Sequence, residues 1–221
     1  MPQKVIREPK QVRSKATKDK LKKAAMALFT ELGYYQVTSR KIAKAAKVPI
    51  GSFYNYFGDK KGILLVLMEE FCEEYHQTLF FEEIEQCIQH STSITSASQR
   101  IGELLNNLIQ SPFMSDPFYR LIHILQYSEK DVLELVERYR IVEGEYFMRL
   151  IERINQFHPI QDKEVAAKLI FTTGENVSLY INYLGTPFDR ERLIKETALM
   201  INRYLFGGYS AKTQLAGEIS S

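Results

Sequence analysis

The sequence predicts an all-α protein in which a small N-terminal three-helix domain precedes a larger helical bundle. Three observations lead there. Apolar residues recur at helical spacing along the chain, and no run alternates with period two for the length of a convincing strand. Glycine, proline and Ser/Thr clusters interrupt these stripes where helix ends are expected. Charge is divided unevenly: residues 1–62 carry 15 Lys and Arg against 4 Asp and Glu, a net of +11, while the remainder carries 14 against 23, a net of −9. The overall +2 therefore hides a basic N-terminal part suited to a polyanion, although a merely solvated basic arm would give the same count.

Residues 1–14 are polar, basic and proline-bearing, and read as a disordered basic arm. Thr17 caps a first helix whose Leu21, Ala24, Ala25, Leu28 and Leu32 share one face, and Gly33 stops it. Thr38 opens a short helix to about Ala45. A turn at Ala46, Lys47 and Val48 leads to a second short helix from Pro49 to about Tyr56. Asp59 caps a longer helix carrying Ile63, Leu64, Leu67, Met68 and Phe71. The polar segment HSTSITSAS, residues 90–98, reads as a loop. Helices near 99–110, 116–127, 129–157, 162–184 and 189–206 follow, interrupted by Pro112, Pro159, Gly185 and Pro187. Gly207 and Gly208 close the last helix before a frayed tail. The expected divisions are 1–14, 15–58, 59–208 and 209–221.

At 221 residues, with 45% hydrophobic and 25% charged side chains, the chain can build one good core or a small domain attached to a larger one. Its longest apolar run, residues 63–68, is far short of the roughly 20 residues that span a bilayer. No apolar segment follows the basic N-terminus, so it is not a secretory signal. Cys72 and Cys87 fit no zinc or redox spacing. The simplest reading is a cytoplasmic protein without disulfides, cofactor or membrane association. Nothing points to an enzyme: His76, His90, His123 and His158 are dispersed, and no nucleophile motif or glycine-rich phosphate loop occurs. Cys72 and His76 share a helix face at i, i+4 beside Glu69 and Glu73, but two ligands without a closing pair make a weak metal site.

Two short helices joined by a three-residue turn form a helix-turn-helix. Ile42, Ala43, Ala46, Val48, Phe53 and Phe57 can build its small core with Leu28, Phe29 and Leu32. What remains outside is Ser39, Arg40, Lys44, Ile50, Gly51, Ser52, Tyr54, Asn55 and Tyr56. The second helix suits entry into a major groove, where Gly51 and Ser52 permit close approach, Ile50 meets a thymine methyl and Arg40 bonds guanine. Thr38 and Lys60, at helix starts, suit phosphates, as do the Tyr54 and Tyr56 hydroxyls.

The segment GYYQVTSRKIAKAAKVPIGSFYNYFGDKKGIL, residues 33–64, resembles the DNA-binding region of the TetR family of bacterial transcription regulators. Gly33, Thr38, Ile42, Ala43, Ala46, Val48, the Phe53-Tyr54-x-Tyr56-Phe57 block and Lys60 carry the likeness, which with the first helix covers about residues 15–65. The resemblance puts Thr38, Tyr54 and Lys60 on backbone-contacting positions, and Arg40, Ile50, Gly51, Ser52 and Tyr56 on base-contacting or groove-facing ones; Ser39 stands beside them. It also implies a C-terminal bundle that binds a small-molecule effector, and a homodimer on palindromic double-stranded operator DNA. Such a protein is a repressor released by its ligand; a DNA-binding scaffold or nucleoid-associated protein without an effector is the alternative. Two positions depart from the family pattern. Lys47 stands where Gly is common in the turn, and Pro49 where Ser commonly caps the recognition helix.

The last two helices are apolar on more than one side, which favours a symmetric dimer contact there. On the first, Ala167, Phe171, Gly174 and Ser178 form a small-residue face; on the second, Leu193, Met200, Ile201 and Tyr204 belong to the apolar surface. Polar residues set on apolar stripes, His123, Glu143, Thr173 and Asn176 with Tyr180 nearby, are candidate effector contacts, each as readily a satisfied core or interface residue.

Overall fold

The computed structural model describes residues 8–184 and 190–207. They form eleven α-helices and no strand among the described residues: α1 (Glu8–Leu32), α2 (Ser39–Ala45), α3 (Ile50–Phe57), α4 (Lys60–Tyr75), α5 (Phe81–His90), α6 (Ile94–Ile109), α7 (Pro112–Ser115), α8 (Pro117–Leu125), α9 (Lys130–Asn155), α10 (Lys163–Leu179) and α11 (Arg190–Phe206). A 3₁₀ turn at Tyr34–Gln36 joins α1 to α2, and π-helical turns follow α4 at His76–Phe80 and α10 at Tyr180–Leu184.

Contacts divide the chain into two compact units, one of Met1–Thr78 with Pro112–Ile141, the other of Leu79–Ser111 with Val142–Ser221. In the first, a single apolar cluster joins Leu21, Ala25 and Phe29 of α1 to Ile42 and Ala43 of α2, Phe53 and Phe57 of α3, Ile63, Leu64, Leu67 and Met68 of α4, and Phe118, Ile122 and Leu125 of α8. Phe29, Ile42, Phe53, Ile63 and Leu64 are wholly enclosed, each worth about 1.5–3 kcal/mol relative to exposure. Leu28, Leu32, Ala46 and Val48 are only partly buried at its edge. The face of α1 that enters the core runs through Leu21, Ala25 and Phe29, a strict i, i+4 row.

The second unit packs α6 against both α5 and α11, and α10 against α6 and α11. Ile84, Ala97, Ile101, Leu104, Leu105, Phe147, Leu150, Ile170, Ile194 and Ile201 are buried here. Phe81 stacks on Tyr146 at 4.6 Å, and Arg149 lies 5.0 Å from the same ring while pairing with Glu85 at 2.9 Å.

Three boundaries differ from the sequence expectation. α1 starts at Glu8, so Thr17 lies inside a helix rather than capping one. The 90–98 loop shrinks to residues 91–93, because Ser93 caps α6 by accepting from Ser96 N while Ser96 Oγ accepts from Ser93 N, a reciprocal box built from two serines. The long helix from Asp59 is broken by the first π-helical turn, which no glycine or proline announces. The breaks at Gly185 and Pro187, and the expected tail, fall outside the described residues, as do residues 1–7 of the arm.

Candidate DNA-binding surface

The surface is assembled by two helix starts and one turn. Thr38 Oγ1 accepts from Lys41 N at 3.2 Å, which fixes the first turn of α2 and leaves Arg40 exposed and Ser39 partly so. α2 ends in a Schellman motif: Val48 N donates to Ala43 O at 3.0 Å and Lys47 N to Lys44 O at 3.1 Å. The residue such a motif holds in the left-handed region is Lys47, with φ 57°, the one described non-glycine residue of positive φ. Pro49 stands at the N-cap of α3 rather than inside it, at φ −55° and ψ 139°. It offers no side-chain cap, but its carbonyl accepts from Ser52 N at 2.9 Å and Phe53 N at 3.3 Å. The earliest N–H groups of α3 therefore have no partner from the helix itself, as at every helix start.

α3 divides cleanly. Phe53 and Phe57 point into the core, at 0% and 8% exposed. Ile50, Gly51, Tyr54 and Asn55 are exposed, Tyr54 at 52%, while Ser52 and Tyr56 are half-buried. A Cβ added to Gly51 would meet nothing within 4 Å, so no internal contact requires glycine there. The contrast is Gly62, whose Cβ would lie 2.2 Å from the Phe57 carbonyl oxygen; glycine is what lets the end of α3 meet the start of α4. Asp59 completes that corner by accepting from Gly62 N at 2.7 Å.

Lys60 has a larger internal role than its sequence position suggests. Its Nζ donates to Tyr34 O at 3.0 Å and Val37 O at 3.2 Å, and sits 4.2 Å from the centre of the Tyr34 ring. The ammonium thus pins the turn before α2 to the start of α4. Burial, with Glu129 nearby, pushes the Tyr34 phenol up to about 12, so it stays neutral under the cation.

Some polar residues of this unit were not singled out in the sequence. Ser14 and Tyr56 share a hydroxyl–hydroxyl bond of 3.0 Å. The Tyr35 hydroxyl meets Ser128 Oγ and Glu129 Oε1, each at 2.9 Å, and Lys61 pairs with Asp131. The only sequence signal for Ser14 was its i, i+4 spacing from Lys10 and Lys18; for Tyr35 and Glu129 there was none.

The candidate effector residues are divided between the two units. His123 belongs to the first unit, where Nδ1 lies 2.8 Å from Gln126 Nε2 and the ring is 5.9 Å from Tyr119. Glu143, Thr173, Asn176 and Tyr180 belong to the second. Asn176 is exposed and donates to its own helix at Thr172 O, and Tyr180 is also exposed. Within the second unit a groove of about 440 Å³ opens between α6 and α11, lined by Gly102, Asn106, Gln110, Lys195 and Asn202 among others.

The small-residue face of α10 lies largely inside its own unit. Ala167 and Ser178 are buried within the second unit, Gly174 packs towards Leu105, Phe171 lies 5.6 Å from Phe147, and Ile201 is enclosed. Small side chains let α10 close on its own neighbours: Ala167 and Ser178 are enclosed, while Phe171 and Gly174 stay half-buried. Val165, Leu169 and Tyr180 on one stripe, and Met200 and Tyr204 with the partly buried Leu193 on another, keep apolar surface outward.

A short helix, a tight turn and a second helix with its aromatic side buried and its other side open define a helix-turn-helix DNA-binding module. Residues 21–67 match the family model described as bacterial regulatory proteins, tetR family. Over this region, about a fifth of its length, the chain is similar to that family. The HTH-type transcriptional regulator HbdR of Aromatoleum sp. (strain CIB) is 39% identical over 75 residues, 34% of this chain and 32% of that protein; the match thus spans about a third of the relative's length. Among solved structures, a TetR-family regulator from Syntrophomonas wolfei aligns with TM-score 0.66 at 19% identity, over 90% of this chain and 99% of that one. FadR from Bacillus subtilis, solved in complex with stearoyl-CoA, aligns with TM-score 0.60 at 21% identity, over 84% and 98%. At these identities the structural likeness concerns the fold. No helix among the described residues is long and apolar enough to cross a membrane.

Proposed function

We propose that the protein is a cytoplasmic, homodimeric transcriptional repressor that binds palindromic operator DNA and is released by a small molecule. The observation that carries the reading is the division of α3: two aromatics anchor it, and Ile50, Gly51 and Tyr54 are left outward with Arg40 exposed on α2. Thr38, Ser39, Arg40, Ile50, Gly51, Ser52, Tyr54, Tyr56 and Lys60 form the DNA-facing set, Arg40 and Ile50 reading bases and the hydroxyls and Lys60 meeting phosphates. Residues 15–58 act as the DNA-binding part and 59–208 as the effector-binding and dimerising part. The outward stripes of α10 and α11 supply the dimer contact, which sets the spacing of two recognition helices on successive groove faces.

A ligand releases DNA only by preferring a conformation in which those helices no longer match the grooves. α4 is the lever in this scheme, since its first turn adjoins α3 and its later turns lie in the core. The Tyr35–Glu129 contact adds a second tie, between the helix-turn-helix and the residue before α9, and Lys61–Asp131 joins the first turn of α4 to that of α9. FadR of Bacillus subtilis holds stearoyl-CoA, which makes acyl-CoA thioesters the first compounds to titrate here.

The test starts with DNA fragments selected by the protein from genomic DNA. Binding to the selected operator should weaken with salt at a log–log slope of about −0.9 per neutralised phosphate. Arg40→Ala should relax preference at one base pair by about 1–3 kcal/mol while leaving the salt slope intact. A salt-independent affinity, or the same base preference after Arg40→Ala, counts against the reading.

A further inference from the structure

The groove between α6 and α11 is walled by two facing rows. Along α6, Gly102, Asn106 and Gln110 recur at every fourth residue; along α11, Glu191, Lys195, Ala198 and Asn202 follow at i, i+4, i+7 and i+11. At about 100° per residue the α11 row spans about 60° of the helix, and Met200 and Tyr204 lie about half a turn away from it. A dimer contact through that outward stripe therefore leaves the groove open. Its polar groups are incompletely used. Asn202 donates through Nδ2 to Ser98 O at 3.2 Å, a carbonyl already inside the α6 ladder, and its Oδ1 is enclosed without a hydrogen-bond partner. Gln110 Nε2 donates to Asn106 Oδ1 and ties those two amides together. Glu191 and Lys195 are exposed one turn apart, and neither enters an ion pair among the described residues. No aromatic ring lines the groove, whose apolar side chains are Ile194, Ala198 and Leu199.

The geometry points to a small-molecule site in this groove that takes a free amino acid, its carboxylate on Lys195, its ammonium on Glu191 and its other polar groups on the amides of Asn106, Gln110 and Asn202. Opposite charges one turn apart, about 6 Å of helix rise, stay separate here and suit the two charged ends of one molecule. Rotation of the Asn202 amide towards the groove offers Oδ1 a donor, and Ser98 O keeps its helical partner when Nδ2 leaves. A volume of about 440 Å³ lies within the range of ligand sites, about 300–1,000 Å³. A long acyl chain is a poor occupant, because it would lay methylenes along three amides and leave the Asn202 oxygen unpaired. A nucleobase would find no ring to stack on.

This inference goes beyond the DNA-binding reading and does not depend on it, so the experiment contains no DNA. The full-length wild-type protein is titrated calorimetrically with the standard amino acids, first pooled and then singly. At least one should bind, one molecule per chain. Its N-acetyl derivative and its primary amide, each lacking one of the two charges, should bind about tenfold more weakly or worse. Lys195→Gln and Glu191→Gln change exposed side chains, so each should keep the wild-type thermal midpoint while weakening binding by about tenfold or more. Asn202→Leu removes the unpartnered oxygen; it should hold or raise the thermal midpoint and still weaken binding by about tenfold. Binding of none of the amino acids, or undiminished binding by both glutamine variants, overturns the proposal. Affinity that falls as protein concentration rises would show the groove closed by a second copy, and overturns it equally.

Discussion

Gly51 and Lys47 are the two residues at which the helix-turn-helix departs from what stability alone would choose. Gly51 sits in a helix with open space around its missing side chain, where Gly costs roughly 0.5–1 kcal/mol relative to Ala. Gly51→Ala should therefore raise the thermal midpoint slightly and yet weaken operator binding by about tenfold or more, the scale of a lost base contact of about 1–3 kcal/mol. A variant that gains stability and keeps full affinity would remove the argument for close approach. Lys47 holds a left-handed conformation that costs an L-residue roughly 1–2 kcal/mol. Lys47→Gly relieves that strain, less the glycine entropy, so calorimetry should show a Tm increase of about 1–4 °C. That Lys47 occupies an unusual turn position was visible in the sequence; that the turn keeps both Schellman hydrogen bonds nevertheless was not.

At the scale of elements, helix existence was legible and helix ends were less so. The stripes of α2, α3, α4, α8 and α10 are periodic enough to find, because one buried face imposes one spacing. The serine box that starts α6 hid inside a segment whose composition says loop, since Ser is common both in loops and at N-caps. The first π-helical turn carried no signal, since His76–Phe80 holds neither glycine nor proline. Lys60 shows a related gap. Its place beside a helix start suggests a phosphate, and only the fold reveals two backbone carbonyls within reach. The tie between Tyr35 and Glu129 is likewise tertiary, and it gives an element-level prediction. Tyr35→Phe should leave operator affinity within about threefold while shrinking effector-induced release by about fivefold or more, the lower end of a usual coupling energy. Fluorescence anisotropy with and without the effector measures both quantities, and unchanged release would discard this route.

For the whole molecule, the sequence suggested that α10 and α11 have more apolar surface than one face needs; of the residues it named, Met200 and Tyr204 lie outward, while Ala167, Ser178 and Ile201 are enclosed. Small residues such as Gly174 allow close approach to any neighbour, and the neighbour here is Leu105 of the same chain. The outward candidates are Leu169 and Met200, 45% and 52% exposed. Replacing both, Leu169→Glu with Met200→Glu, should loosen the dimer by about a hundredfold or more, since unpaired carboxylates in an apolar contact cost several kcal/mol. Sedimentation would then report monomer, and operator affinity would fall with it. A dimer of undiminished strength would exclude these stripes as the contact.

The sequence by itself determined the helical class, the helix-turn-helix and the inward placement of Phe53 and Phe57, because local periodicity and a distinctive aromatic block encode them. Tertiary structure decided what Ser14, Tyr35, Lys60 and Gly174 touch. Those partners lie far apart along the chain, and no local pattern specifies which distant atom a hydroxyl, an ammonium or a missing side chain will meet.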